Sequence, residues 1–161
     1  REWDEWFGRS IDVGGLERER NILRYRPAST QVRGCADAKL VDVARVVAAG
    51  LLAAGDNISV CLDPSLGEGL GRALRSVGVA VTTASDEDWY ASLGASRVRL
   101  VGGNPSRAAD EADGDPDLAL WANEVTSAPQ VELLPFLREQ SVSMTAHRFG
   151  NPDAGVLSVR L

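Results

Sequence analysis

Apolar positions along the chain alternate between spacings typical of strands and spacings typical of helices. Strand-like runs fall at residues 21–27, 31–35, 57–62, 79–84, 97–101 and 118–122. Helical patterns separate most of these runs, with predicted starts at Asp37, at Asp63–Pro64 and at the capping-box pair of Ser85 and Asp88. Strands separated by helices predict right-handed crossovers, so we predict a small doubly wound, Rossmann-like α/β fold with a mostly parallel sheet.

The longest predicted helix runs from Asp37 to about residue 54 and ends at Gly55. Apolar side chains recur along it at helical spacing, and we predict that one set of them faces the core. That set is Val41, Ala44, Ala48, Leu51 and Leu52.

Two stretches do not fit the alternation of strands and helices. Residues 19–35 predict two strands in which arginines alternate with apolar residues, and residues 141–149 predict a third alternating strand. We expect these strands to form an antiparallel flap. The stretch at residues 132–150, ELLPFLREQSVSMTAHRFG, leads into it: a short helix around Pro135 is predicted to feed an exposed strand that meets a surface outside the local fold.

The chain length of 161 residues predicts one domain. Residues 1–16 are interpreted as the end of a helix, with Trp3, Trp6 and Phe7 on one face, and a linker from a preceding domain. Residues 17–152 are predicted to form the α/β domain and residues 153–161 a tail. Because the chain opens at Arg1 rather than Met, we expect it to be a piece of a longer polypeptide.

The composition excludes several classes of protein. A net charge of −6 argues against nucleic-acid binding, and the longest apolar run is too short to span a bilayer. The local arginine cluster is interpreted as a solvated or interface strand face; it comprises Arg18, Arg20, Arg24, Arg26 and Arg33. Cys35 and Cys61 lie outside any metal-ligand spacing, so we predict buried thiols, no metal site and a reducing, cytoplasmic location.

One glycine-rich segment invites a nucleotide-binding interpretation. Residues 66–73, LGEGLGRA, follow a predicted strand and place Gly67, Gly69 and Gly71 near a helix start. The spacing GxGxG differs from the dinucleotide fingerprint, and Pro64 places the glycines inside the helix. We favour close helix–sheet packing as the reason for the glycines, with nucleotide binding as the alternative.

Catalytic chemistry has few candidate residues. His147 is the only histidine, and no serine or cysteine motif accompanies it, so we interpret it as a half-exposed strand residue. The acidic residues between 110 and 117 are interpreted as a solvated loop. No catalytic, cofactor-binding or metal-binding residue is predicted in this chain.

Two motifs at the ends of the predicted domain resemble a known family. ERNILRYRP at residues 19–27 and ELLPFLREQSVSMTAHRFGNP at residues 132–152 look like the C-terminal end of long bacterial proline utilization A proteins, especially actinobacterial ones. These are bifunctional proline dehydrogenase and L-glutamate γ-semialdehyde dehydrogenase enzymes. The resemblance covers about residues 17–152, and its middle part matches in pattern only.

The resemblance implies a non-catalytic domain of the aldehyde dehydrogenase superfamily, without cofactor of its own. FAD and NAD would belong to other domains of the parent protein. The flap would dock on the catalytic aldehyde dehydrogenase domain of the same polypeptide and help seal the cavity for substrate channelling. The residues expected at this interface are Leu23, Tyr25, Pro135, Phe136, Leu137, Arg138, Glu139, Ser143, Met144, Thr145, His147, Arg148 and Phe149.

Two alternatives to the docking role stay open. The chain could be an independent NAD(P)-binding, Rossmann-like oxidoreductase domain, in which case the glycine-rich segment would hold the nucleotide. It could also be an oligomerisation module whose flap pairs with another copy of the chain, which makes a homo-oligomer a further expected assembly.

Overall fold

The computed structural model describes residues 1–16, 18–148, 151–152, 155 and 158–159, and it divides the chain into two units. Pro27–Leu137 form the parallel unit, and Arg1–Arg26 with Arg138–Leu161 form the antiparallel unit. The strands are β1 (Ile11–Asp12), β2 (Glu19–Pro27), β3 (Thr30–Gly34), β4 (Ile58–Leu62), β5 (Ala80–Thr83), β6 (Arg97–Val101), β7 (Ala119–Trp121), β8 (Leu137–Thr145), β9 (His147–Arg148) and β10 (Asn151–Pro152). The α-helices are α1 (Leu40–Ala54), α2 (Glu68–Ser76), α3 (Asp86–Ala91), α4 (Pro105–Glu111) and α5 (Pro129–Glu132), with single 3₁₀ turns at Gly55–Asn57, Pro64–Leu66 and Leu134–Phe136.

The parallel unit is built on a five-stranded sheet in the order β5-β4-β3-β6-β7, and every strand pair is parallel. The chain therefore has the predicted α/β, Rossmann-like fold. Its central strand is β3, which corrects the prediction that residues 31–35 belong to the flap. The strand is buried on both faces, as central parallel strands are, because Val32 packs in the core and the charge of Arg33 is neutralised inside the protein.

Helix α1 presents to the core the face opposite to the predicted one. Its buried residues are Val43, Val46, Val47, Gly50, Ala53 and Ala54, whereas Val41, Ala44, Ala48, Leu51 and Leu52 are exposed. The prediction was wrong because the helix is apolar all round, so periodicity did not distinguish its two faces. The helix also begins after Lys39 rather than Asp37, because the Asp37 carboxylate accepts the backbone N–H of Gly103.

The other predicted helix starts are largely confirmed. Ser85 accepts the Asp88 N–H and begins α3, and Asp63 accepts the Ser65 N–H and begins the 3₁₀ turn ahead of α2. Gly67 joins that turn to α2 with a φ of 78°, a conformation that favours glycine. None of the helices in the described ranges is long and apolar enough to cross a membrane.

The antiparallel unit contains a three-stranded sheet in the order β1-β2-β8. Ile11 of β1 lies opposite Leu23 of β2, and Ile22 is buried. The N-terminal segment forms a π-helical turn, Trp3–Phe7, whose buried Phe7 ring meets the Tyr25 ring edge-on at 4.9 Å. A separate two-stranded antiparallel ladder joins β9 to β10.

Candidate functional site

The stretch at residues 132–148 divides between the two units, and its first part is anchored inside the parallel unit. Glu132 forms a buried ion pair with Arg99 of β6, with Arg99 Nη2 lying 3.1 Å from Glu132 Oε2. The opposite carboxylate oxygen, Glu132 Oε1, accepts the Thr126 N–H at 2.7 Å. Arg99 Nη1 also donates to the carbonyl oxygens of Leu100 and Asn123 at 2.8 and 2.9 Å. The pair therefore fastens the chain between β7 and α5 onto the sheet.

The apolar run that follows Glu132 is a core segment of the parallel unit. Leu133, Pro135, Phe136 and Leu137 are buried. The Phe136 ring packs against α1 at Gly50. Arg97 holds the backbone of this run through the carbonyl oxygens of Pro135 and Leu137, at 2.8 Å each. Pro135, Phe136 and Leu137 were predicted as docking residues, but in this structure their side chains have little surface left to offer a partner.

The second part of the stretch, β8, is an exposed strand of the antiparallel unit. Its side chains bond to β2 in one continuous register: Tyr25 with Glu139, Arg24 with Gln140, and Asn21 with Ser143, at 3.1, 2.7 and 2.8 Å. The Ala146 N–H continues the register by donating to the Arg18 carbonyl oxygen at 2.9 Å. These four contacts all follow the same antiparallel register between the two chain segments.

The other edge of β8 carries no strand in the described part of the chain, because β8 ends the order β1-β2-β8. Strand edges of this kind present unpaired N–H and C=O groups that can pair with a further strand. Charged and hydroxyl side chains cover β8, with Arg138, Glu139, Ser143 and Thr145 exposed and Met144 half-buried. These five predicted docking residues therefore lie together on one accessible strand.

The remaining predicted docking residues have different settings. Leu23 and Tyr25 are half-buried in β2, next to the strands that β2 pairs with. Burial raises the pKa of the Tyr25 hydroxyl, and the Glu139 carboxylate beside it raises that pKa further. His147 and Arg148 form β9, where the structure brings them opposite β10. Phe149 lies outside the described residues.

A buried arginine organises the carboxyl ends of β3 and β4. Arg33, predicted to lie on a solvated or interface strand face, is fully buried and donates to Asp86 at 2.6 Å, with Asp63 at 3.7 Å. Its guanidinium also lies 5.3 Å from the Trp89 ring centre. Asp63 directly follows β4, and Asp86 begins α3 shortly after β5; both strands lie on the same side of β3. Carboxylates that follow two neighbouring strands were the signal for this cluster in the sequence.

The two cysteines are free and buried, as predicted. Burial raises the pKa of the Cys35 thiol to about 12, and the nearby Asp86 carboxylate adds to the shift. Cys61 Sγ accepts a hydrogen bond from Arg33 at 3.2 Å. A thiol that stays protonated is a poor nucleophile and a poor metal ligand, so Cys35 acts as a core residue.

The crevice at the carboxyl ends of β3 and β6 is the position where doubly wound sheets bind nucleotides. It has a volume of about 350 Å³, and the carboxylates of Asp37, Asp42 and Glu124 line it beside Lys39. The Asp37 carboxylate accepts the Gly103 N–H at 2.6 Å, which is the kind of backbone donor that a phosphate would need. The charge of the crevice therefore opposes binding of a pyrophosphate group.

The predicted phosphate loop has a different geometry from a phosphate cradle. Gly69 and Gly71 lie inside α2, as predicted from Pro64. A Cβ at Gly69 would meet open space, and one at Gly71 would approach no closer than 3.6 Å to Arg75. Close packing of α2 on the sheet therefore does not require these glycines, which corrects the reason favoured from the sequence. Of the three glycines, only Gly67 is required by the backbone conformation, because it joins the 3₁₀ turn to α2 at a positive φ.

The fold and the free strand edge together define an α/β, Rossmann-like unit with an antiparallel strand appendage. No family model matches this chain, and no curated protein matches it. One solved structure that it resembles is Proline Utilization A (PutA) from Corynebacterium freiburgense, with 26% sequence identity and a TM-score of 0.53. The similarity covers 92% of this chain and 13% of the PutA chain, so the chain spans a small part of the length of that protein.

Proposed function

We propose that this chain is the non-catalytic C-terminal domain of a bifunctional enzyme that converts proline to glutamate. Its role is to dock on the catalytic aldehyde dehydrogenase domain and help seal the cavity through which the intermediate passes. The observation that carries the proposal is the exposed edge of β8, in a chain similar to a PutA protein over 92% of its length. FAD and NAD are bound by the other domains of that enzyme.

The edge of β8 supports docking by strand addition. Because the Ala146 N–H points towards β2, alternation along an antiparallel strand directs the N–H and C=O groups of Ser141 and Ser143 to the free edge. A strand of the catalytic domain that pairs there extends the sheet, and its main-chain hydrogen bonds supply most of the affinity. The exposed side chains of Arg138, Glu139 and Thr145 then fix the register of the pairing.

Sealing follows from this docking. A cavity closed by an added strand holds a reactive aldehyde away from bulk water until the next active site receives it. Pro135, Phe136 and Leu137 contribute indirectly, because their burial in the parallel unit fixes the start of β8.

The test is Ser141→Pro in the full-length enzyme that carries this chain. Proline removes the outward N–H that a docking strand needs, and an edge position tolerates it. We expect a lag in coupled conversion of proline to glutamate, while proline dehydrogenase activity measured alone stays unchanged. Ser141→Ala is the matched control, because alanine keeps the N–H, and it should show no lag.

Coupled flux without a lag in Ser141→Pro would refute the sealing role. The sequence upstream of Arg1 gives an independent check, because the proposal requires an aldehyde dehydrogenase catalytic-cysteine motif there. The rival oligomerisation module predicts instead that Ser141→Pro turns a dimer of the chain into a monomer.

A further inference from the structure

Helix α1 is apolar on the face that it turns away from the core. This outer face consists of Leu40, Val41, Ala44, Ala48, Leu51 and Leu52. Val41 is 61% exposed and Leu52 is 55% exposed. Surface helices of soluble proteins ordinarily carry charged residues there, but α1 has only Asp42 and Arg45 along its whole length. An apolar outer face of this extent indicates an interaction surface.

A groove lies beside the outer face. The groove has a volume of about 330 Å³ and runs between α1 and the chain that leads into α5. Ala48 and Leu52 line one side, and Ala128 and Pro129 line the other. A branched apolar side chain from a partner fits between these walls, since small residues leave the space and larger ones border it.

The sequence of the outer face is symmetric about the middle of the helix. Leu40 mirrors Leu52 about residue 46, Val41 mirrors Leu51, and Ala44 mirrors Ala48. When two identical helices pack antiparallel across a two-fold axis, each of these residues meets its mirror position on the partner. The alanines then lie at the crossing point, where small side chains allow close approach of the helix axes.

We propose that the occupant of the outer face is a second copy of this chain, with the two α1 helices antiparallel across a two-fold axis. In this arrangement Leu40 of one copy lies against Leu52 of the other, next to the groove. Each copy contributes the same protruding residue, Leu40, and the same groove, so the interface is self-complementary, as a closed two-fold dimer requires.

The charge distribution favours a second copy over a charged partner. The chain carries a net charge of −6, which makes two copies repel each other in general. The outer face is the exception, because Asp42 and Arg45 neutralise each other within the helix at 3.2 Å. Antiparallel packing also places the positive end of each helix dipole beside the negative end of the other.

The size of the surface predicts a weak dimer. The four large apolar side chains of the outer face are between 36% and 61% exposed, so the interface that they form lies near the lower size limit of about 1,000 Å² in total for a specific interface. We therefore expect a dissociation constant in the micromolar range.

The experiment is sedimentation equilibrium of the full chain at concentrations from about 1 to 300 µM, a range that brackets a micromolar dissociation constant. Val41→Asp should weaken self-association at least tenfold, because it buries a carboxylate against Leu51 of the partner. Val77→Asp is the matched control: Val77 is 65% exposed in the same unit but lies at the end of α2. It should dimerise as the wild type does.

A rescue variant tests the symmetry itself. Val41→Glu combined with Leu51→Lys places two opposite-charge pairs across the two-fold axis and should restore the dimer that Val41→Glu alone loses. A wild type that stays monomeric across the concentration range overturns the proposal, as does a dimer that persists in Val41→Asp. A dimer lost only in Ser141→Pro overturns it in favour of pairing through β8. Thermal melts confirm that each variant is folded.

Discussion

The ring of Phe136 lies against the backbone of Gly50, where any other residue would place a side chain. A Cβ at position 50 would be 2.7 Å from Phe136 Cε1 and 3.1 Å from Ile58 Cγ2. Phe136 is held from the other side as well, since its carbonyl oxygen accepts the Ala28 N–H at 2.9 Å. The missing side chain of Gly50 therefore lets α1 pack closely over the segment that leads into β8.

Gly50→Ala should destabilise the chain by about 1–3 kcal/mol, because the added methyl overpacks the contact with Phe136. The direction of the change in stability is informative, because helix propensity alone would make alanine about 1 kcal/mol more favourable than glycine at this position. Gly69→Ala is the matched control: a Cβ there meets open space within α2, so we expect a small gain in stability. Urea denaturation of both variants measures the difference, and stabilisation by Gly50→Ala would contradict the packing described for Phe136.

Substitution in the ion pair of Arg99 and Glu132 should destabilise the chain more than Gly50→Ala does. Glu132→Gln leaves the Arg99 charge buried without its counter-charge, and we expect a loss of about 3–5 kcal/mol in the free energy of unfolding. Glu68→Gln is the control, because its partner Arg72 and Glu68 itself are exposed, and exposed pairs contribute little. Equal effects of the two substitutions on the urea midpoint would contradict the anchoring role.

The order of elements was predictable from the sequence because strands and helices leave different periodicities. The bounds of β6, Arg97–Val101, were predicted residue for residue, and Ser85 was recognised as the cap of α3 because its partner lies three residues away. Both signals are local. They depend on neighbouring residues and not on what a segment packs against.

The features that depend on distant contacts were not predictable from the pattern. Arg33 was predicted to lie on a solvated or interface strand face, yet it is buried, because the Asp86 carboxylate from a later segment neutralises it. Arg99 is buried in the same way against Glu132, a pairing that the pattern along the chain did not indicate. The two apolar faces of α1 look alike in the sequence, and the buried one is the face on which Gly50 meets Phe136. The burial of Pro135, Phe136 and Leu137 was not predicted for the same reason, since the Arg99 side chain that pairs with Glu132 ahead of them comes from a strand 33 residues earlier.

Alkaline pH should destabilise the chain through Cys35. Its thiol pKa rises from 9.0 to about 12 on folding, mainly because of burial. The stability that this shift represents is fully present below pH 9, and it is lost as the pH rises towards 12, because the unfolded chain ionises first. We expect the free energy of unfolding to fall over this range with a slope of up to about 1.4 kcal/mol per pH unit.

Cys35→Ala supplies the control for the alkaline transition. The variant should show a shallower fall above pH 9, and the part that remains belongs to groups such as Tyr25 and Tyr90, whose pKa values burial also raises. Chemical denaturation at several pH values measures both slopes. An identical pH dependence in the variant would show that Cys35 is not responsible.

NAD should not bind to the crevice at the carboxyl ends of β3 and β6. The crevice presents three carboxylates to a ligand whose pyrophosphate is negative, and Asp37 already holds the Gly103 N–H. We expect isothermal titration calorimetry to show no saturable heat up to about 1 mM NAD. Asp37→Asn, which keeps an oxygen acceptor for Gly103 and removes the charge, tests whether charge alone excludes the ligand. Micromolar binding by the wild type would contradict this account and favour the NAD(P)-binding oxidoreductase alternative over a docking domain.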